Sequence, residues 1–218
     1  SFMKTDETSV KEEMADILPH RLYYESKIKS VHWLNRKRIE HCLDLAGDMT
    51  GKRILDAGTG DGYMLQEIKC RELWGIDISR KRLERAAKKV PYAILKQDDL
   101  NQSQLESNFF DGIICADVLE HMRTPANAIR ELIRICKPDG FIVVCLPQEI
   151  NNIFARMILW KPPIINPDHY HLVTGFFLQR EFKIRPSRVR NIPDVPGPFC
   201  LHRVMRYDMP YYRGHKPY

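Results

Sequence analysis

Short, almost uninterrupted apolar runs alternate with helix-period segments along the middle of this chain, and no other feature narrows its fold as much. The runs lie at Arg53–Asp56, Leu73–Ile76, Ala93–Lys96, Gly112–Ala116 and Gly140–Leu146, and Tyr63–Cys70, Arg80–Lys89 and Ala126–Cys136 read as helices among them. A strand that is apolar without alternation is buried on both faces, so this rhythm implies a mostly parallel sheet covered by helices on both sides. Upstream, Leu22, Ile28, Val31, Leu34, Ile39, Cys42, Leu43 and Leu45 recur at helical spacing, which predicts one or two leading helices before a break at Gly47 to Gly51. With 218 residues, 44% of them apolar, the chain suits a single α/β domain over 21–218 that follows a polar, flexible stretch at 1–20.

The turn after the first run, Asp56-Ala-Gly-Thr-Gly-Asp-Gly62, carries the chemistry. Three glycines between a strand and a helix let backbone approach a bulky ligand without an intervening Cβ, and the expected ligand is a nucleoside-type cofactor. Dinucleotide and phosphate loops also use glycines, but the details point away from both. The spacing is Gly-x-Gly-x-Gly rather than Gly-x-Gly-x-x-Gly, no Gly-Lys-Ser/Thr follows, and Asp56 stands where a dinucleotide site usually has an apolar residue. A carboxylate there repels pyrophosphate and attracts an amine. About twenty residues on, the second run ends at Asp77, suited to ribose hydroxyls, and the third ends at Asp98, which could accept from an adenine amino group.

Through Asp56-Ala-Gly-Thr-Gly-Asp-Gly62, Asp77, Asp98 and Phe110-Asp-Gly-Ile-Ile-Cys-Ala-Asp-Val-Leu-Glu-His121, the chain resembles the class I S-adenosylmethionine-dependent methyltransferases. Leu132 to Val144 is similar to the same family's fifth helix and strand, and the resemblance covers roughly residues 30 to 147. It implies a Rossmann-like, mostly parallel seven-stranded sheet, completed after residue 176 by an antiparallel hairpin. It also implies S-adenosylmethionine as cofactor, with S-adenosylhomocysteine as product, and a cofactor set of Asp56, Gly58, Thr59, Gly60, Gly62, Asp77, Ile78, Asp98, Asp99, Ala116 and Asp117. Within it Asp56 helps to bind the methionyl ammonium, Asp77 the ribose, Asp98 and the Asp99 backbone the adenine, and the Ala116-Asp117 turn the methionyl tail. Gly62 permits close helix packing. The family places a substrate-covering insertion where this chain has 148–171, a segment rich in apolar residues that equally suits a helix packed on the core.

Asp117, Glu120 and His121 form an Asp-x-x-Glu-His pattern at the top of the fourth run, which would set three polar groups on one helical turn. Three readings stay open. His121 could act as a general base on an acceptor hydroxyl, or His121 could support the site by hydrogen bonding alone. The third is a divalent metal site, since the pattern resembles the acid-x-x-Glu-His motif of small-RNA 2′-O-methyltransferases and ubiquinone-pathway O-methyltransferases; His169 or His171 would complete it, and Asp117 is shorter than the usual Glu. Arg36 and Arg38 on the leading helix are placed either over a cofactor carboxylate or in surface ion pairs, and Tyr23, Tyr24, Trp160 and Tyr170 are candidate walls around an acceptor.

The expected acceptor is a small molecule, methylated at oxygen, carbon or nitrogen. A net charge of +6 and the set Lys183, Arg185, Arg188, Arg190, Arg203 and Arg206 beside Tyr207, Tyr211 and Tyr212 keep an RNA acceptor as the alternative. A cofactor-binding partner subunit without catalysis is the alternative of another class. The basic run from Arg80 to Lys89 reads as a solvated helix face. Six cysteines without a C-x-x-C pair read as reduced core thiols, and the chain shows no spanning or leader-like run, which leads to the expectation of a cytoplasmic protein with no membrane partner.

Overall fold

The computed structural model describes residues 29–148, 173–195 and 200–210. The expected flexible stretch at 1–20, the covering segment apart from Gln148, His169, His171, Tyr23, Tyr24, Trp160, Tyr170, Tyr211 and Tyr212 lie outside the described residues.

A seven-stranded sheet organises the chain, with strands β1 (Arg53–Ala57), β2 (Glu72–Asp77), β3 (Ile94–Gln97), β4 (Phe110–Ala116), β5 (Cys136–Pro147), β6 (Arg188–Ile192) and β7 (His202–Asp208). They lie in the order β3-β2-β1-β4-β5-β7-β6. The first five pair in parallel, whereas β7 runs antiparallel to both β5 and β6, the expected terminal hairpin. Helix α1 (Lys29–Ala46) precedes the sheet, α2 (Arg80–Lys89) links β2 to β3, α3 (Pro125–Ile135) links β4 to β5, and α4 (Gly175–Phe182) precedes β6.

The apolar runs divide their residues between two cores, one on each face. Ile113 and Cys115 of β4 join Ile142, Val144 and Leu146 of β5 under α3 and α4, while Ile114 joins Phe141, Val143 and Cys145 under Cys42 and Leu45 of α1. Alternation along a strand sends successive side chains to opposite faces, so a central strand needs apolar residues at every position. All six cysteines are free thiols, and only Cys70 is less than buried.

One expected helix is absent. Between Tyr63 and Cys70 the chain makes a single 3₁₀ turn, Leu65–Glu67, and Ile68 is already extended. Leu65 and Ile68 are both buried, and their spacing of three residues is met by one tight turn without a helix.

Candidate functional site

The strand order reverses between β1 and β4, and the crevice at such a switch point is where open α/β sheets bind ligands. Asp56 lies near the end of β1 there, 2% exposed, and accepts a hydrogen bond from Thr59 Oγ1 at 2.7 Å. Burial pushes its carboxyl up to about 7; the Thr59 bond opposes that rise and nearby Asp77 adds to it. The glycine turn is laid against β2, since the amides of Gly58 and Thr59 both donate to Ile76 O at 2.8 Å. Asp77 then clasps the turn: Oδ2 accepts from Gly60 N at 2.9 Å and Oδ1 from Ser79 N at 2.8 Å. Burial raises the Asp77 carboxyl as well, opposed by those two amides and Arg82. Each oxygen keeps one further acceptor site.

Gly58 and Gly60 both adopt positive φ, 79° and 53°, for different reasons. A Cβ on Gly58 would lie 2.3 Å from Val118 Cγ2, whereas a Cβ on Gly60 would meet nothing within 4 Å. Gly58 therefore makes room for the β4 turn, and Gly60 leaves bare backbone facing open space. Gly62 meets α2, where a Cβ would come within 3.0 Å of Ala86 Cβ.

Asp98 and Asp99 follow β3. Asp98 accepts from Ser103 Oγ at 2.8 Å and from Gln104 N, and Asp99 Oδ1 accepts from Asn101 N at 2.9 Å, so both carboxylates brace the loop beyond β3. Ile78 lies between Asp77 and α2, its carbonyl accepting from Gln97 Nε2. Arg134 of α3 secures the same loop from below, donating to Ser103 O, Leu105 O and Ser107 Oγ at 3.1, 2.9 and 2.9 Å.

A narrow cleft of about 40 Å³ opens between these elements, bounded by Asp56, Gly58, Thr59, Gly60 and Ala116 together with Arg38, Asp61, Tyr63 and Met64. The two arginines of α1 separate: Arg36 pairs with Glu40 at the surface, while Arg38 is half-buried at the cleft, donates to Asn35 Oδ1 at 2.9 Å and pairs with Asp117. Asp117, at φ 52°, also lies 3.8 Å from His202 Nε2, at the start of β7. The basic run of α2 is only partly solvated. Arg85 Nε donates to Asp61 Oδ1 at 2.8 Å, Lys89 Nζ to Asp61 O at 3.0 Å, and Lys89 caps the Tyr63 ring, so α2 grips the glycine turn. Tyr63 and His202 carry no sequence signal of their own, and Asp61, although inside the glycine motif, shows its role only through partners distant along the chain.

The Asp-x-x-Glu-His segment forms a 3₁₀ turn, Leu119–His121, rather than a helical turn. Glu120 is buried and His121 half-buried. Among the described residues no three His, Cys, Asp or Glu side chains are grouped to hold a metal ion, and His121 does not line the cleft.

Residues 55–144 match the family model described as a methyltransferase domain. Curated relatives include the ubiquinone biosynthesis O-methyltransferase of Neisseria meningitidis, 29% identical in an alignment of length 144 that covers 61% of this chain and 59% of that protein. The chain thus spans under two thirds of that relative's length. Among solved structures, the Synechocystis magnesium protoporphyrin IX methyltransferase with bound S-adenosylhomocysteine superposes with a TM-score of 0.67 at 18% identity, covering 94% of this chain and all of that one. The S-adenosylmethionine-dependent methyltransferase of Mesorhizobium loti gives 0.60 at 17% identity, over 79% and 96% of the two chains. These structures share the fold, and the matched domain spans the strands that build the cleft. By motif order, matched domain and sheet topology together, the chain is similar to the class I S-adenosylmethionine-dependent methyltransferases and shares their fold.

Proposed function

We propose that this chain transfers a methyl group from S-adenosylmethionine to a small-molecule acceptor. The observation that carries the reading is the cleft at the β1/β4 switch point, where the bare backbone of Gly60 and the buried Asp56 face Arg38. Its residues fit the donor's chemistry. Asp56 matches an ammonium, the guanidinium of Arg38 a carboxylate, and the unused side of Asp77 a ribose diol. Asp98 and Asp99 hold the loop that would border the adenine, and Ala116 and Asp117 border the methionyl end.

When bound, the donor supplies a methyl group on a cationic sulfur, which already makes a good leaving group. The protein's part is then to orient and to exclude water. Asp77 joins two tasks, since the same carboxylate fixes the Gly60 amide and offers acceptors to the sugar. Asp117 and His202 lie beyond Ala116, with His202 Nε2 3.8 Å from Asp117 Oδ1. The relatives named for ubiquinone biosynthesis support oxygen as the methylated atom. His121 is kept as a supporting residue of the β4 turn, and no step is assigned to a metal. The basic residues that motivated an RNA acceptor are largely engaged within the protein: Arg188 and Arg190 with Asp44, Arg206 with Asp208 and the last carbonyls of α1.

Titration calorimetry tests the reading. S-adenosylhomocysteine is expected to bind and NAD to give no heat. Binding of NAD without S-adenosylhomocysteine would overturn the assignment, and binding without any transfer of label from a methyl-labelled donor to phenolic, amine or carbon acceptors would leave a partner subunit instead.

A further inference from the structure

Arg38 reaches the cleft from the middle of α1 and spends its charge on a neighbour, the carboxylate of Asp117. Both oxygens of that carboxylate are sealed from solvent. Its backbone stands at φ 52°, in the left-handed region that Asp enters more readily than most residues. Arg38 lines the cleft beside the pair together with Asp56 and the bare backbone of Gly60, and it brings a guanidinium on a long, flexible stem to that wall.

We propose that Arg38 exchanges partners: Asp117 holds its guanidinium before the donor binds, the donor's methionyl carboxylate takes it afterwards, and Asp117 thus acts as an internal competitor of the donor. The inference rests on the donor reading given above. Two carboxylates offer the same planar acceptor pair to one guanidinium fork, so they compete for it. Such competition is reciprocal, and whatever weakens the Arg38–Asp117 pair strengthens the hold on the donor. His202 Nε2, on β7, lies 3.8 Å from Asp117 Oδ1 and is the neighbouring group that Asp117 can turn to once Arg38 leaves. A nucleoside without the carboxylate takes no part in the competition.

Calorimetry with two probes separates the cases: S-adenosylhomocysteine, which carries the carboxylate, and 5′-methylthioadenosine, which shares the nucleoside thioether and lacks it. Asp117→Asn is expected to tighten S-adenosylhomocysteine by roughly five- to fiftyfold, the size of an ordinary coupling between linked sites, and to leave methylthioadenosine unchanged. Arg38→Gln should weaken S-adenosylhomocysteine alone and abolish the effect of Asp117→Asn in the double variant. Unchanged methylthioadenosine binding also certifies that the variant is folded; Asp117→Ser, with less bulk, reads the same way if the amide disturbs packing. The proposal is overturned if the charge-removing variants leave S-adenosylhomocysteine affinity unchanged or weaken it, or shift both probes alike. If neither probe binds the unaltered protein, the donor reading itself fails.

Discussion

Gly58 and Gly60 share a backbone sign and differ in what surrounds them, so the same substitution should break different things. Gly58→Ala drives a Cβ into Val118 at positive φ and is expected to cost roughly 2–4 kcal/mol of stability, read by urea unfolding. Gly60→Ala meets open space, so the expected loss is only the left-handed cost of about 1 kcal/mol, yet its methyl group stands where the donor must lie and affinity for S-adenosylhomocysteine should collapse. Equal stability losses in the two variants would contradict this division. Asp56 supplies a second contrast. Burial raises its carboxyl to about 7 in the folded chain, against about 3.9 unfolded, so between those values the folded state binds the extra proton and stability falls as pH rises. Above about pH 7 the full cost of the buried charge, about 4 kcal/mol at most, is present. Asp56→Asn should therefore stabilise the free protein at pH 8 far more than at pH 4, in thermal unfolding followed across that range. A constant difference would show that Asp56 does not carry the proton. The glycines and Asp56 were legible in the sequence because a turn is a local object; that Gly58 answers to Val118, sixty residues away, was not.

At the scale of elements, the central strands were readable because burial on both faces leaves an uninterrupted apolar run; their bounds moved by one or two residues, except that β5 begins four residues before the expected Gly140, at Cys136. The segment after the glycine turn was misread, since Leu65 and Ile68 satisfy a helix and a single 3₁₀ turn equally well. The charged face of α2 was read in part: Arg80, Lys81, Lys88 and Lys89 are exposed as expected, whereas Arg82 is buried and Arg85 is half-buried against Asp61. The loop after β3 depends on a neighbouring helix in the same way. Arg134→Ala removes the donors to Ser103, Leu105 and Ser107, a loss of roughly 1–3 kcal/mol of local anchoring. Faster amide exchange confined to 101–107, with weaker binding of S-adenosylhomocysteine, is the expected result. Unchanged exchange in that loop would show that Asp98 and Asp99 hold it alone.

For the molecule as a whole, the charge balance suggested a polyanion more strongly than the folded arrangement does. Guanidinium groups spent on Asp44, on Asp208 and on the end of α1 are poorly placed to release counterions from phosphate. Weak RNA binding that vanishes between about 50 and 200 mM salt is expected in a filter or anisotropy assay, and a salt-resistant, sequence-selective complex would reopen the RNA acceptor. His202 was illegible for a global reason as well, because its neighbour Asp117 is met only through the register of β7 on β5. The anchoring of α1 by Arg188, Arg190 and Arg206 sets a timetable for synthesis. The helix that brings Arg38 to the cleft leaves the ribosome before any strand, but its anchors on β6 and β7 are translated after all the parallel strands. A nascent chain halted before β6 would already hold the acids and glycines of the turn, and would still lack the fixed guanidinium that faces them.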